Sequence, residues 1–290
     1  MLGQKVRAAL KLSRPFTLMA PAVGGLLFSY IAFLHSPGPI YKIPLTVLIL
    51  VFANYASNVI NQVYDREIDM INKPYRPIPA GEISVDEASS LAILLTIATI
   101  GLAYALIGSL FGTLLSIILA FAWMYSAPPL RLRSRLLLSN LALATPRGAL
   151  GILTAYSAYA NPFENHGLLL LALGMAIYVF GGNTFKDIPD EEGDRRCGVR
   201  NFVTVYGRRK AIQISLACVI LSYPFILASL DNPLFSIPFA AIIIAMVFFG
   251  IRHPDLRTKT ENTVLWTLFY LGMLAGFLSY AISAIGTLLC

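Results

Sequence analysis

Two short stretches of this chain carry side chains able to do chemistry. The first runs Asn58-Val-Ile-Asn61-Gln-Val-Tyr-Asp65-Arg-Glu-Ile-Asp69, the second Asn183-Thr-Phe-Lys-Asp187-Ile-Pro-Asp190-Glu-Glu-Gly-Asp194. In each, amides and carboxylates recur at three- and four-residue steps at the end of an apolar run. On a 3.6-residue helix Asn58, Asn61, Asp65 and Asp69 fall within an arc of roughly 80°. Asn183, Asp187, Asp190 and Asp194 would do much the same on a helix that continued through Pro189. Oxygen ligands of this kind suit Mg²⁺, which uses one or two carboxylates and fills its shell with water and phosphate oxygens. No His accompanies either stretch, which argues against zinc. Two helices facing such stripes toward each other would hold divalent cations and an anion between them.

Basic residues crowd the same places. Lys73 and Arg76 follow the first stretch, Arg195 and Arg196 the second, and Arg131, Arg133 and Arg135 lie between them in sequence. Metals ringed by cations suit a polyanion such as a diphosphate. No glycine-rich phosphate loop occurs, which argues against a nucleotide triphosphate fold. Eleven of the 15 Asp and Glu residues lie in 65–87 and 187–194, and none in 128–136. The acids are therefore segregated into two sites rather than scattered as solvated loop charge.

The elements that must position these side chains are membrane helices. Of the 290 residues 57% are apolar and only 13% charged, against about 25% charged in soluble domains. Apolar runs of membrane-spanning length recur from end to end. The expectation is an all-α, polytopic membrane protein of nine transmembrane helices around a central cavity. The spans are expected near 16–35, 43–65, 87–107, 110–127, 137–160, 166–186, 211–230, 233–251 and 263–288. The whole chain, 1–290, reads as a single transmembrane domain. Spans 1–4 and 5–8 read as a duplicated four-helix unit, since the second and sixth each end in an acidic stretch, with the ninth added.

Charge sets the orientation. Of 22 Lys and Arg residues, 20 lie at the N-terminus or in loops and span ends on one side; Lys42 lies opposite and Arg147 within a span. The positive-inside rule then puts the N-terminus and both acidic stretches on the cytoplasmic side and the C-terminus outside. The net charge of +7 is spread among loops, not gathered into a nucleic-acid-binding tract. Residues 4–14 read either as a short helix on the cytoplasmic leaflet or as a plain basic flank. The first apolar run lacks a small-residue cleavage site and reads as a retained span. Cys197, Cys218 and Cys290 have no metal-ligand spacing and read as free thiols. Gly24-Gly25 and Gly181-Gly182 read as close helix contacts.

At this point the motifs resemble those of the UbiA superfamily of intramembrane prenyltransferases. The first is Asn61-x3-Asp65-x3-Asp69 with Asn-Lys-Pro-Tyr-Arg-Pro-Ile-Pro-Ala-Gly at 72–81. The second is Lys186-Asp-Ile-Pro-Asp190-Glu-Glu-Gly-Asp194-Arg195. Between them Tyr125-Ser-Ala-Pro-Pro-Leu-Arg131 is similar to the family's loop after the fourth helix. The resemblance implies two Mg²⁺ ions held by Asn61, Asp65, Asp69, Asp187, Asp190 and Asp194, with Asp65, Asp69, Asp187 and Asp194 central to catalysis. Asp190 is the least firm, because Pro189 interrupts the helix and can turn its side chain away. Diphosphate contacts carry over to Lys73, Arg76, Tyr125 and Arg131. The implied reaction is transfer of an isoprenyl group from a polyprenyl diphosphate to a lipophilic or aromatic acceptor.

The wording around Lys186 to Asp190 and Arg147 is similar to homogentisate-type members of quinone pathways, and 72–81 to chlorophyll-synthase-type members. An archaeal-type ether-lipid enzyme acting on a glyceryl phosphate is the alternative. A carboxylate-based cation transporter is the alternative of another class, though bases crowding each acidic stretch would repel its cargo. Arg147, about ten residues into the fifth span, stands apart. An unpaired Arg there is costly, so it either contacts an acidic acceptor or the diphosphate, or forms a structural ion pair with a motif Asp. Arg14, at the start of the first span, is a weaker candidate for the same contacts and reads more readily as a topogenic charge.

Overall fold

Backbone polar groups inside a bilayer must be satisfied within their own segment, which leaves helices as the way for such apolar runs to cross. The computed structural model describes residues 2–253 and 263–289. Among these, nine helical segments are long and apolar enough to span: Pro15–His35, Lys42–Tyr64, Val85–Ile107, Ser109–Ser126, Leu136–Tyr156, His166–Lys186, Arg208–Ala228, Pro233–Arg252 and Val264–Thr287. The described residues contain no β-strand. The protein is an all-α, polytopic integral membrane protein, with span limits within a few residues of those expected.

Local chemistry sets the span ends. Ser84 and Glu87 form a reciprocal cap at the start of the third span, satisfying two N–H groups that the helix leaves open. Asn165 caps the sixth by accepting from the Leu168 N–H at 2.8 Å. The third and fourth spans are joined through Gly108, whose φ of 152° L side chains rarely adopt. A single residue therefore reverses the chain.

Lipid gives apolar helices no reason to prefer one another, so close association depends on shape. The sixth span is the hub, with 67% of its window buried, against 22% for the third, which faces outward. A Cβ on Gly148 would fall 2.5 Å from the Ala176 Cα, so the fifth and sixth spans touch through backbone. Gly181 and Gly182 do pack closely, against the seventh and ninth spans. Gly24 and Gly25 pack against Phe277 and Val47, but they also line a cavity.

The N-terminal segment forms a helix, Leu2–Leu12. It buries Ala8 and Leu12 against Val59, Ile60 and Val63 of the second span, while Lys5, Arg7 and Leu10 stay exposed. Tyr55 donates to the Ala9 carbonyl at 2.7 Å and clips it in place. The segment is helical rather than an irregular basic flank. Cys197 and Cys218 are free thiols; Cys290 lies outside the described residues.

Neither acidic stretch is one straight helix. The second span ends at Tyr64, Asp65 leaves helical geometry at φ −96° and ψ 9°, and a short helix resumes at Arg66–Asn72. After the sixth span's α-helix, His166–Gly182, come a 3₁₀ segment, Asn183–Lys186, a turn holding Pro189, and a short helix, Glu191–Arg196. Pro189 has no N–H to give, and its ring would strike the carbonyl of Phe185 in a continuous helix.

Candidate active site

The first stretch divides by depth. Asn58 is structural: its Nδ2 donates to the Ser13 carbonyl at 2.7 Å and to Thr17 Oγ1 at 2.8 Å, fixing the start of the first span. Asn61 donates to Asp65 Oδ2. Asp65, 1% exposed, directs the same Oδ2 at Arg133, while its Oδ1 is buried with no hydrogen-bond partner. Asp69 takes both its oxygens to Arg76 Nη1, at 3.0 and 2.8 Å.

The second stretch folds its carboxylates back toward the first. Asp187 accepts from Lys186 at 2.7 Å, and Lys186 also reaches Tyr125 Oη at 3.3 Å. Asp190 does not turn away, as the proline suggests; the break swings it inward onto Lys73, with Nζ 2.5 and 2.6 Å from its two oxygens. Asp194 accepts from Arg133 Nη2 at 3.0 Å and from Asn201 Nδ2 at 2.8 Å. The backbone joins in: Asn72 donates to the Asp190 carbonyl at 2.8 Å and accepts from the Gly193 N–H at 2.9 Å.

Burial and neighbouring bases pull these carboxyls in different directions. Burial raises the Asp69 carboxyl above its ordinary range despite Arg76 and Lys73. Burial likewise pushes Asp194 up, to about 6, against the pull of Arg133. At Asp190 burial works in the same sense but Lys73, Arg133 and Arg76 outweigh it and hold the carboxyl low. Among the described residues no three His, Cys, Asp or Glu side chains already converge on one point. The donors still fit Mg²⁺: they are oxygens, Asp65 Oδ1 is an unused one, and this ion needs only one or two carboxylates.

Two cavities meet here. A polar one is lined by Asn61, Asp69, Lys73, Arg76, Arg133, Lys186 and Asp190, among others. An apolar one descends between the spans past Gly24, Leu50, Ile152, Met273 and Phe277. Thr17, Ser57, Tyr125, Leu143 and Arg147 line both. Arg147 sits in a π-helical segment, Thr145–Leu150, where the Gly151 N–H reaches back five residues to the Pro146 carbonyl. The wider turn, next to the bare face of Gly148, carries it to the junction. It forms no ion pair among the described residues, so the structural-pair alternative is not the arrangement seen.

Arg131 stands elsewhere. It is absent from both linings, takes a left-handed φ of 36°, and buries its Nε without a partner. Its left-handed turn delivers Arg133 instead. The sequence gives no role to Lys186, Asn72 or Asn201, and it makes Arg14, which lines the polar cavity, only a weaker candidate than Arg147. Asn201 had a signal, since it opens a capping box with Thr204. Arg133 had none beyond being the second of three alternating arginines.

The sequence pattern of the UbiA prenyltransferase family matches residues 18–274. The chain belongs to that family. It is 32% identical over 257 residues to the digeranylgeranylglyceryl phosphate synthase of Methanobrevibacter smithii, covering 82% of this chain and 85% of the relative. The synthase of the same name from Sulfolobus acidocaldarius is 29% identical over 282 residues, with 94% and 97% covered. The probable homogentisate phytyltransferase 2 of Oryza sativa subsp. japonica is 28% identical over 286 residues, with 89% and 74% covered. In fold, this UbiA-family protein superposes on a UbiA homolog from Archaeoglobus fulgidus bound to GPP and Mg²⁺, at TM-score 0.68, 19% identity and 96% and 99% coverage. As a member of this family it is a prenyltransferase of the membrane.

Proposed function

We propose that this prenyltransferase moves a polyprenyl group from its diphosphate to the free hydroxyl of a lipid-borne glyceryl phosphate, with Mg²⁺. The observation that carries the acceptor is the 32% identity to the Methanobrevibacter smithii synthase over 82% of the chain. This moves the reading from an aromatic acceptor to the ether-lipid alternative. A homogentisate-type acceptor stays the second reading, on the strength of the rice relative. The transporter reading loses its basis, because the chain belongs to a family of prenyltransferases.

The residues divide the work by depth. Asn61, Asp65, Asp69, Asp187, Asp190 and Asp194 would hold the metal. Charge neutralisation on the departing diphosphate is what Mg²⁺ supplies when bound. Lys73, Arg76, Arg133 and Lys186 add positive charge where negative charge develops as the allylic C–O bond loosens. Tyr125, lining both cavities, marks the level of that bond. Below it the apolar wall keeps water from the cationic C1 and receives the prenyl chain. Arg147 at the junction holds the acceptor's anionic group, which brings its hydroxyl to the same level.

Purified protein supplied with geranylgeranyl diphosphate and Mg²⁺ should prenylate geranylgeranylglyceryl phosphate in preference to homogentisate, read by mass spectrometry of the products. The reverse preference restores the aromatic reading. Orientation is a separate expectation from the Lys and Arg bias. A cysteine introduced at Ser36 should react with an impermeant reagent from outside, and one at Ser134 from the cytoplasm alone. The opposite labelling places the site on the other face.

A further inference from the structure

Among the described residues, the Arg133 guanidinium touches carboxylates of both acidic stretches. Nη1 meets Asp65 Oδ2, and Nη2 meets Asp194 Oδ1 at 3.0 Å. Arg133 is 7% exposed, Asp65 1% and Asp194 fully buried. Arg133 lines the polar cavity, whereas Asp65, Asp187 and Asp194 do not. The guanidinium therefore stands between the cavity and the carboxylates it bridges. Behind it, Asp65 Oδ1 is left without a donor.

We propose that Arg133 is a built-in counter-cation: it holds Asp65 and Asp194 together before the metal enters, and gives up that place to the metal, turning its charge onto the diphosphate. The inference rests on the metal reading above and adds an exchange to it. Two buried carboxylates facing each other without a cation would repel strongly at low dielectric. A planar fork with two donors is the side chain suited to hold both. The fork also blocks the approach from the cavity, so an ion reaching Asp65 and Asp194 must displace it. Its short loop permits this: Arg133 lies in the three-residue turn Leu132–Ser134, following the left-handed residue Arg131. Once displaced, the guanidinium is already in the polar cavity, alongside Lys73 and Lys186, where the diphosphate would lie.

A competitor and a preorganising clamp give opposite results when removed. Binding of Mn²⁺ alone, without prenyl diphosphate, is measured by electron paramagnetic resonance on wild type, Arg133→Met and Arg133→Lys. As a counter-cation, Arg133 lost to Met tightens bare Mn²⁺ binding by about tenfold, roughly one pKa unit's worth of free energy. The Lys variant, which keeps charge but cannot bridge, falls between. The Met variant has a lower Tm without metal, and Mn²⁺ restores more of it than in wild type. In the presence of Mg²⁺, its affinity for inorganic pyrophosphate falls instead. Unchanged or weaker Mn²⁺ binding in both variants overturns the exchange and makes Arg133 a clamp. Wild type that binds no Mn²⁺ overturns the metal reading itself, a distinct result. If the Met variant does not fold, the Lys variant alone decides, by tighter or weaker binding than wild type.

Discussion

The two acidic stretches use the same residue types at nearly the same spacing, yet the chain treats them differently. The first yields by one residue at Asp65 and resumes as a helix, so its acids keep local order and Asp69 pairs with Arg76, seven residues on. The second breaks twice around Pro189, and the break lets it reach across: Asp190 takes Lys73 from the other stretch, and its carbonyl takes Asn72. Two similar motifs become one site through the links between them. Those links are Lys73 with Asp190, Asn72 with Asp190 and Gly193, and Arg133 with Asp65 and Asp194.

The largest effect should come from removing one carboxylate on either side of that divide. Asp65→Asn or Asp194→Asn keeps the side chain's shape and deletes its charge. Turnover should fall by about a thousandfold or more, the scale of losing a principal electrostatic element, while the variant still elutes as a single detergent-solubilised species. Wild-type Mg²⁺-dependent activity in either variant would show that its stretch lies outside the site.

Cutting a link instead of a ligand should cost less. Asn72→Ala removes two cross-links and no metal donor. Losses of about 10- to 100-fold in activity or metal affinity are typical when the groups that orient ligands are removed. Asn58→Ala is the contrast, since the Asn58 amide donates to the start of the first span and to neither stretch's carboxylates. It should lower Tm and leave kcat near wild type. If both variants behave alike, the links between stretches are not special.

A smaller and more selective effect belongs below the divide. Arg147→Met keeps an apolar stem and deletes the charge, so packing should survive. The acceptor KM should rise about tenfold, with little change in the KM for prenyl diphosphate. A rise confined to the prenyl diphosphate would assign Arg147 to the upper cavity. Pro189→Ala should do least, a few-fold in kcat, because the tie to Lys73 still holds Asp190 after the proline is gone. A loss as large as that of Asp194→Asn would show that the proline itself sets the geometry.

The fold was legible because its cause is one-dimensional: each span must be long and apolar along its own sequence, whatever its neighbours do. The acids were legible for a related reason, since charged groups at the end of an apolar run are costly unless they serve a site. The bases were harder to place. Arg131, Arg133 and Arg135 are alike in the sequence, and a single left-handed turn at Arg131 decides that Arg133 enters and Arg131 does not. Asp190 is the least firm of the metal residues in the sequence because Pro189 interrupts the helix; the interruption brings it inward onto Lys73. Lys73, Asn72 and Arg133 act over sequence separations of 61 residues or more, and local pattern holds no record of such pairings.

The apolar cavity has a consequence for how this enzyme must be measured. Its walls belong to helices that cross the bilayer, so a lipid substrate that enters it comes from the membrane in which it is dissolved. The concentration such a molecule presents to Arg147 and Tyr125 is a mole fraction within the bilayer, not a molarity in water. Adding lipid or detergent at constant substrate dilutes it in two dimensions. Apparent KM values for that substrate then scale with the amount of amphiphile present, while those of a water-borne ion do not.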